Sequence, residues 1–399
     1  MKVLLVGSGG REHALAWKLS RSPELEELHT APGNPGIAEL GPCHPVRPED
    51  ADGLLALARE LDTDLVVIGP EAPLVRGVAD RLRRGGIAVF GPSAAAARIE
   101  GSKSFAKQLM VEAGVPTAKA LAIARPPCVV KADGLTAGKG VFVCHTQKEL
   151  DGALQVVRGS GLVIEELLEG KELSVFALCD GTRAVGLVAA RDHKRVGDAD
   201  TGPNTGGMGA YSPVVGFGPG EVEAILDLVH RPVLAALAAR GTPFAGLLYA
   251  GLMLAPEGPR VLEFNCRFGD PETQAILPRL DDGLLAGLAA AAAGDATGVS
   301  FASSEEAVVN VVLAAGSYPE RGDAGTPITG VDEARATGAL VFHAGTALQD
   351  GTLVTNGGRI FSVAAAGSTV ADARARAYAA AEKISFEGMR YRRDIAADA

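Results

Sequence analysis

The sequence lacks a long hydrophobic run. A membrane-spanning helix needs roughly 18 or more consecutive apolar residues, and no window approaches that length. The opening stretch MKVLLVGSGGREH has an apolar run too short for a signal peptide and turns directly into glycines. We therefore expect neither a membrane partner nor a secretory leader.

Cysteine is scarce. The five cysteines form no CxxC pair, their number is odd, and they are far apart in the chain: Cys43, Cys128, Cys144, Cys179 and Cys266. This distribution argues against a disulfide framework and against a structural zinc site. It favours a reducing compartment, and we expect the protein to be cytoplasmic.

The chain has no strongly basic segment. Its formal net charge is −10 at pH 7, whereas nucleic-acid-binding proteins present a basic patch to phosphates. The short run Arg390, Arg392 and Arg393 is followed by Asp394, and we interpret it as a solvated face. No nucleic-acid partner is expected.

The N-terminal part alternates strand-like and helix-like segments. The chain has 399 residues, 47% hydrophobic and 22% charged, which is enough for about two to four domains. The apolar run 3–6 leads into a glycine turn and a helix-like stretch, and the pattern returns at 64–74 and 86–93. Strands that alternate with helices predict a parallel sheet, so we place an α/β domain at 1–97.

The first glycine turn, GSGGREH, resembles a dinucleotide-binding turn but is incomplete. Gly7 and Gly9 fit the pattern G-x-G-x-x-G, and Glu12 stands at the third glycine position. This argues against a nicotinamide-dependent dehydrogenase. The turn still brings backbone N–H groups and Arg11 to a helix N-terminus, which suits a phosphate; the alternative is a tight strand-to-helix turn.

The rest of the chain divides into two further regions. We predict a helix over 98–116 that ends at Gly114, then a small antiparallel four-stranded module at 118–185. The glycine-rich segment 191–213 has no apolar periodicity and is predicted to be a long functional loop. A kinked helix and the strand pair GLLYAGLML and RVLEFNCRF complete a region 98–299, and a third, α+β region is predicted at 300–399.

The segment VVKADGLTAGKGV (129–141) looks suited to binding phosphates. It is not a P-loop, because only three residues separate Gly134 from Gly138 and no hydroxyl follows Lys139. Lys131 shares a strand face with Val129, and a lysine there is costly to bury without a negative partner. The alternative is a glycine-rich hairpin with a solvated lysine.

The segment VLEFNCRFGDPETQ (261–274) carries a candidate metal site. Glu263 and Asn265 are two residues apart on a predicted strand and share one face. Their oxygens are the donors that Mg²⁺ takes when it also binds substrate phosphates, and Arg267 follows with the same parity as a cation for phosphoryl charge. The alternative is a surface strand, since the intervening residues are apolar.

Two single residues remain ambiguous. Glu172 follows the segment EELLEG and could accept hydrogen bonds from ribose hydroxyls, although an isolated glutamate is more often a surface residue. His193, in the polar loop, is a candidate acid–base group or simply an isolated histidine.

Taken together, these segments closely resemble the phosphoribosylamine–glycine ligases, a family of ATP-grasp enzymes. The resemblance runs nearly end to end, and it is most specific at DHKRVGDADTGPNTGGMGAYSP (192–213) and EFNCRFGDPETQ (263–274). It implies an α/β and α+β multidomain protein: an N-terminal parallel α/β domain, an ATP-grasp core at 98–299 with a small mobile lid domain at 118–185, and a C-terminal α+β domain at 300–399.

The resemblance also implies roles for individual residues. ATP contacts are expected at Lys103, Lys131, Gly138, Lys139, Gly140, Glu165, Glu166, Leu168 and Glu172. Phosphoribosylamine contacts are expected at Gly9, Arg11 and Glu71, with Asn204 as a further substrate contact. Asp192, Lys194 and Arg267 are expected near glycine and the γ-phosphate, and Glu263 and Asn265 at Mg²⁺ or Mn²⁺.

The chemistry implied by the family needs no side-chain nucleophile, which agrees with the absence of a convincing Ser/His/Asp or Cys/His set. Glycine would attack the γ-phosphate of ATP, and the amine of phosphoribosylamine would then attack the resulting glycyl phosphate. The expected partners are these three small molecules, and a monomer is expected. Many ATP-grasp relatives carry a further metal carboxylate where this chain has Gly251, as is usual for this family.

Two other functions were weighed against this one. Another ATP-grasp ligase or carboxylase acting on a purine precursor would lack the segment 192–213. A catalytically inactive nucleotide-binding regulator should have lost Lys131, Glu263 or Asn265, and this chain keeps all three.

The segments 118–130 and 156–166 are shorter than is usual in the family, which predicts a trimmed helix or covering loop in the lid.

Overall fold

The N-terminal region is a parallel sheet covered by helices. A computed structural model describes residues 1–135, 140–159, 161–281 and 283–399. The first sheet has the strand order β2-β1-β3-β4, and every pairing in it is parallel, as predicted. Its elements are β1 (Lys2–Gly7), α1 (Gly10–Leu19), β2 (Glu27–Pro32), α2 (Ala51–Glu60), β3 (Leu65–Ile68), α3 (Glu71–Val75), α4 (Val78–Arg84) and β4 (Val89–Phe90).

The prediction of a single helix over 98–116 is wrong, because the helix is interrupted at Ser102. Two helices, α5 (Ala94–Gly101) and α6 (Lys103–Glu112), meet there. Ser102 is extended, and its hydroxyl accepts a hydrogen bond from the N–H of Phe105 at 3.2 Å. A serine in this position caps a new helix start, a local preference that the continuous apolar pattern conceals.

The predicted four-stranded module at 118–185 divides between two sheets. The strands β5 (Cys128–Ala132), β6 (Val141–Cys144) and β7 (Leu162–Glu166) form an antiparallel sheet with α7 (Gln147–Val156). The next strand, β8 (Lys171–Asp180), instead pairs along its full length with β14 (Ala245–Ala255). The domain boundaries after residues 97 and 299 stay predictions.

The second sheet has the order β15-β14-β8-β9, with β9 at Ala184–Gly186 and β15 at Gly258–Asn265. The predicted pairing of GLLYAGLML with RVLEFNCRF is confirmed as the antiparallel pair β14 and β15. The predicted kinked helix is α8 (Pro219–Ile225), a π-helical turn (Leu226–His230) and α9 (Arg231–Ala239). The helices α10 (Thr273–Ile276) and α11 (Leu284–Ala293) follow β15.

The segment 191–213 is not a plain loop. It contains four short strands, namely β10 (Arg191–Asp192), β11 (Arg195–Gly197), β12 (Thr201–Asn204) and β13 (Gly209–Ser212). The strands β10 and β13 belong to a five-stranded sheet of order β10-β13-β16-β21-β18, and β11 pairs with β12. These pairings join distant parts of the chain, so no local apolar period announces them.

The C-terminal region supplies the rest of that sheet. Its elements are β16 (Ala307–Ala314), β17 (Asp323–Pro327), α12 (Val331–Arg335), β18 (Leu340–His343), β19 (Thr346–Gln349), β20 (Thr352–Gly357), β21 (Arg359–Gly367) and α13 (Val370–Ala381). A small sheet β17-β20-β19 completes it. One apolar core is continuous across all three regions, from Val66 on β3 through Leu248 on β14 to Phe361 on β21.

The prediction that the basic run near the C-terminal end is a solvated face is wrong for Arg392, whereas Arg393 is exposed. Arg392 is only 2% exposed, and its guanidinium is ion-paired on both sides with Asp200 and Asp394. Local charge composition shows Asp394, two residues away, but could not reveal Asp200, which is distant in sequence. Among the described residues, every helix is too short or too polar to cross a bilayer.

Candidate active site

One cavity of about 620 Å³ lies where the first sheet, the small sheet, the β14–β15 pair and segment 191–213 meet. It brings together most of the residues that the sequence singled out. They are Arg11, Glu71, Lys103, Lys131, Glu165, Glu166, Leu168, Glu172, Asp192, Lys194, Asn204, Glu263, Asn265 and Arg267.

Four of the predicted residues are not part of this lining. Gly138 and Lys139 lie outside the described residues. Gly140 is buried beside β6, where its carbonyl accepts a hydrogen bond from Ala132 N–H at 2.8 Å. Gly9 begins α1, and its N–H donates to Oε2 of Glu12 at 2.7 Å.

Glu12 explains why the first glycine turn departs from the dinucleotide pattern. Its side chain folds back beneath the turn, and a Cβ on Gly7 or Gly69 would meet it at 2.4 or 2.2 Å. Oε1 of Glu12 also accepts a hydrogen bond from Nε of Arg11 at 2.5 Å. The carboxylate therefore occupies the N-terminus of α1 and fixes the arginine that reaches the cavity.

Two lysines on the small-sheet side of the cavity share one buried carboxylate. Nζ of Lys131 and Nζ of Lys107 each lie 2.6 Å from an oxygen of Glu165. Glu165 is 3% exposed, and burial lowers the pKa of Lys107 even though Glu165 opposes the shift. The negative partner that a buried Lys131 requires is thus Glu165.

Lys103 is held at the start of α6 by the turn after β5. Oδ1 of Asp133 accepts a hydrogen bond from the N–H of Lys103 at 2.6 Å, and Nζ of Lys103 donates to the carbonyl of Gly134 at 2.8 Å. Burial lowers the pKa of Lys103, while Glu263 and Asp133 act in the opposite direction. The contact places this ammonium group beside the glycine-rich turn.

The connection between the small sheet and β8 forms one wall. Glu166, Leu167 and Leu168 line the cavity there. Oε1 of Glu166 accepts a hydrogen bond from the N–H of Lys119 at 2.9 Å. Across the cavity, Nδ2 of Asn204 donates to the carbonyl of Val141 at 3.4 Å and so ties segment 191–213 to the small sheet.

The candidate metal residues face a lysine. Nζ of Lys194 lies 3.4 Å from Oε1 of Glu263 and 2.9 Å from Oε2 of Glu172. Burial opposes ionisation of Glu263, but Lys194, Lys131 and Lys103 hold its pKa below the ordinary value. Burial likewise opposes the charge of Lys194, yet its acidic neighbours raise its pKa well above normal. Both groups are therefore charged near neutral pH.

Asp192 and Glu272 are two further acids on the cavity wall. Burial, together with nearby carboxylates, raises the pKa of Asp192 well above its usual range. Burial also raises the pKa of Glu272, whose Oε1 accepts a hydrogen bond from Ser174 Oγ at 3.3 Å. The same hydroxyl lies 3.1 Å from that of Tyr249. Each of these two carboxyl groups therefore retains a proton more readily than an ordinary carboxyl group does.

Arg267 is fixed by two glutamates from different elements. Its Nε lies 3.1 Å from Oε2 of Glu71, and its Nη2 lies 3.1 Å from Oε1 of Glu100. Burial raises the pKa of Glu71, but Arg267 and Arg11 outweigh burial and lower it to about 2. Phe268 O accepts hydrogen bonds from both arginines at 3.2 Å. The two cations are thus aimed at one corner of the cavity.

The donors fit a hard divalent ion that also contacts phosphate. Glu263 offers an ionised carboxylate and Asn265 an amide oxygen. In the described part of the chain, no group of three or more His, Cys, Asp or Glu side chains is arranged to hold a metal ion. Mg²⁺ in phosphoryl-transfer sites is commonly held by one or two protein oxygens plus substrate phosphates. At Gly251, a side chain would meet Glu263 Cγ and the Tyr249 hydroxyl, each at 3.3 Å.

Sequence reasoning missed several residues of the lining. Lys107 lies one helical turn after Lys103 on α6, and this four-residue spacing was an available signal. Asp270 pairs with Arg359 at 2.7 Å and links the cavity to β21. No local pattern joins those two residues, because they are distant in the sequence. His193, by contrast, is not among the described lining residues; its Nε2 accepts a hydrogen bond from Ala396 N–H at 3.2 Å.

Comparisons with known families agree along the whole chain. The three models of phosphoribosylglycinamide synthetase match in order: the N domain at residues 1–100, the ATP-grasp (A) domain at 101–273 and the C domain at 308–398. A phosphoribosylamine–glycine ligase from Agrobacterium fabrum is 49% identical over 415 residues, covering 99% of this chain and 98% of the relative.

Two solved structures give the same fold. The crystal structure of phosphoribosylamine–glycine ligase from Thermotoga maritima aligns with a TM-score of 0.86 and 36% identity, covering 99% of this chain and 100% of that one. The biotin carboxylase domain of Hydrogenobacter thermophilus 2-oxoglutarate carboxylase, in complex with MgADP, aligns with a TM-score of 0.70 at 17% identity. That alignment covers 98% of this chain and 91% of the other.

Proposed function

The chain belongs to the phosphoribosylglycinamide synthetase family, and we propose that it joins glycine to 5-phosphoribosylamine at the expense of ATP. The products are glycinamide ribonucleotide, ADP and phosphate, and the reaction is a step of purine biosynthesis. One observation carries the proposal. A single cavity gathers the lysines of the ATP-grasp region, the Glu263–Asn265 pair and the arginines Arg11 and Arg267.

ATP is held on the side of the small sheet. Lys103 and Lys131 contact its phosphates as charge partners, the wall at Glu165, Glu166 and Leu168 faces the base, and Glu172 faces the ribose. Gly138, Lys139 and Gly140 are further ATP contacts in this proposal, on the basis of the resemblance to the family alone. Mg²⁺ or Mn²⁺, held by Glu263 and Asn265, neutralises phosphate charge when bound.

Phosphoribosylamine is held on the opposite side, at Gly9, Arg11 and Glu71. The carboxylate of Glu12 fixes the guanidinium of Arg11 on this side of the cavity. Asn204, which lies beside the small sheet, is a further substrate contact. Asp192, Lys194 and Arg267 face the reacting groups of glycine and ATP. These charges are set by packing before substrates arrive, which lowers the reorganisation needed in the transition state.

The chemistry proceeds in two displacements. A carboxylate oxygen of glycine attacks the γ-phosphorus, and the bond to the β–γ bridging oxygen breaks to release ADP and leave glycyl phosphate. The amine of phosphoribosylamine then attacks the acyl carbon, phosphate departs with the glycine-derived oxygen, and the nitrogen loses a proton. The protein positions the substrates and neutralises charge. We expect it to work as a monomer in the cytoplasm.

Release of ADP and phosphate from ATP and Mg²⁺ tests the proposal. It is measured with glycine alone, with phosphoribosylamine generated in situ, and with both. Release that needs both substrates and equals the glycinamide ribonucleotide formed is the expected result. Release with another acid in place of glycine would move the function to a different ATP-grasp ligase.

Glycine labelled with ¹⁸O in its carboxylate tests the intermediate separately. The expected result is transfer of one labelled oxygen to each phosphate released. Unlabelled phosphate would exclude glycyl phosphate and leave the overall ligation intact.

A further inference from the structure

The segment 390–396 is hydrogen-bonded to the part of segment 191–213 that carries Asp192 and Lys194. At its centre lies Arg392, whose side chain is 1% exposed. Its Nε and Nη2 donate to the two carboxylate oxygens of Asp394, each at 2.7 Å. Its Nη1 donates to Oδ1 of Asp200 at 2.7 Å and to the carbonyl of Arg195 at 3.1 Å.

Further hydrogen bonds attach the same two segments. Oδ2 of Asp394 accepts from Ala199 N–H at 2.8 Å, and Oδ1 of Asp198 accepts from Arg393 N–H at 2.7 Å. Ala199 and Asp200 have φ angles of 53° and 51°, a left-handed conformation that L-residues adopt only when their surroundings hold it. The carboxylate of Asp394 and the guanidinium of Arg392 provide that restraint.

The remaining attachment is His193, between the two cavity residues. In an extended segment, successive side chains point to opposite sides. Asp192 and Lys194 line the cavity, whereas His193 turns away and accepts the hydrogen bond from Ala396 N–H. The backbone that carries Asp192 and Lys194 is therefore bound on the side away from the cavity, through the ring of His193 and the carbonyl of Arg195.

The segment 390–396 is itself anchored to the C-terminal region. The Tyr378 hydroxyl, on α13, donates to the carbonyl of Arg392 at 2.7 Å and accepts from Ile395 N–H at 3.1 Å. Ile395 is fully buried, and its side chain lies 2.9 Å from the position that a Cβ on Gly209 would take. Segment 390–396, which binds segment 191–213, is thus attached to helix α13.

We propose that segment 390–396 positions Asp192 and Lys194 for the reaction, and that Arg392 and His193 are its positioning residues. The chemical consequence rests on the proposed function; the mechanical hold does not. Neither residue is among the described lining of the cavity, so their effect passes through the backbone of 192–200. This positioning role accounts for the burial of Arg392 and for the orientation of His193 away from the cavity.

Steady-state kinetics of Arg392→Met test the proposal. We expect kcat/KM for glycine to fall at least about tenfold, because Asp192 and Lys194 lose their placement. The dissociation constant for MgADP should change by a smaller factor than kcat/KM, because Lys103, Lys131 and the wall at 165–168, proposed to hold ATP, belong to other segments. Arg376→Met is the matched control, since Arg376 lies on α13 in an exposed ion pair with Asp372; both quantities should match the wild type.

Hydrogen exchange gives a readout that does not depend on the reaction. In Arg392→Met, amides of 193–208 should exchange faster while those of β1 and β3 stay protected. Equal loss of protection everywhere, or an unchanged loop, would overturn the proposal even if the wild type ligates glycine. If the wild type does not ligate glycine, the proposed function is wrong. The hydrogen-exchange comparison then still tests whether segment 390–396 holds segment 191–213 in place.

A substitution pair at His193 separates positioning from general stability. His193→Gln keeps an acceptor for Ala396 N–H, and His193→Leu removes it. We expect the glutamine variant to retain most of kcat/KM for glycine and the leucine variant to lose about tenfold or more. Equal activities for the two variants would show that the hydrogen bond has no positioning role.

Discussion

Oε2 of Glu165 lies 2.6 Å from Nζ of Lys131, and both side chains are almost entirely buried. The two residues lie on the neighbouring strands β7 and β5. The second oxygen of Glu165 binds Lys107 on α6 at the same distance. A single carboxylate therefore compensates two buried cations and ties the small sheet to the helix behind it.

Replacing Glu165 by Gln should destabilise the protein strongly. Two ammonium groups would lose their only ion-pair partner among the described residues, and breaking such a buried pair typically costs about 3 kcal/mol or more. Urea denaturation measures the free energy of unfolding. Glu166→Gln is the matched control, because Glu166 is half-buried and no ion pair of it is described; its cost should stay below about 1 kcal/mol. Equal losses would contradict the assignment.

From local signals, the sequence predicted the parallel N-terminal sheet, the β14–β15 pair and some charged or polar residues of the cavity lining, such as Lys131, Glu263 and Asn265. These features rest on local signals: apolar runs that end in glycine turns, or polar residues two apart on a strand such as Glu263 and Asn265. The close resemblance to a known family added residues such as Lys103 and Glu71, for which the local pattern alone gives no role.

What the sequence could not predict depends on contacts between distant segments. β8 leaves the small sheet for β14, Arg392 pairs with Asp200, and Asp270 pairs with Arg359. Each of these partners is separated from the other by a long stretch of chain, so no periodicity or spacing encodes the pairing. The same reason explains why segment 191–213 was interpreted as a loop.

Replacing Glu263 by Gln should reduce ligation by at least about 100-fold. The substitution removes the ionised oxygen donor of the proposed metal site and leaves Lys194 paired with Glu172, so the fold should persist. ADP formation over a range of Mg²⁺ concentrations measures the effect. Glu257→Gln, an exposed glutamate before β15, should behave as wild type. Normal activity of the Glu263 variant at limiting Mg²⁺ would refute the metal assignment.

The stability contributions of Glu71 and Glu100 should depend on pH in opposite directions, although both carboxylates contact Arg267. Despite its burial, the arginines lower the pKa of Glu71 from 4.5 to about 2. The stability it contributes is fully present above pH 4.5 and is lost as the pH falls towards 2. The free-energy advantage of the wild type over Glu71→Gln should therefore shrink in that window.

Burial raises the pKa of Glu100 above 4.5 in spite of Arg267. Its folded state binds the proton more tightly than the unfolded state does, so the wild type gains stability relative to Glu100→Gln as the pH falls towards 4.5. Chemical denaturation of the three proteins at about pH 6, 4.5 and 3 compares these trends. Parallel trends for the two variants would contradict the assigned environments.

A buried histidine pair should make the protein acid-sensitive. His13 on α1 accepts the hydrogen bond of His343 N–H, on β18, at 2.8 Å. Burial, with the neighbouring His343 and Arg335, lowers the pKa of His13 from 6.5 to about 3, and burial with Arg335 lowers the pKa of His343 to about 3. Stability from the neutral rings is present above pH 6.5 and lost as the pH falls towards 3.

His13→Gln should therefore flatten the dependence of the unfolding free energy on pH below 6.5. One histidine accounts for up to about 1.4 kcal/mol per pH unit. His145→Gln is the control, because His145 is exposed; it should keep the wild-type slope. An unchanged slope in the His13 variant would show that this ring titrates normally.

The five-stranded sheet has a practical consequence for building chimeras between related enzymes. Strand β13 of segment 191–213 pairs directly with β16, which begins after residue 300, and segment 390–396 binds the same stretch. A crossover at the proposed boundary near 299 would join strands of different parents within one sheet. Functional recombinants should inherit residues 191–213 and 300–399 from a single parent, whereas a crossover near residue 97 would divide none of the described strand pairings of the N-terminal sheet, which all lie within residues 1–97.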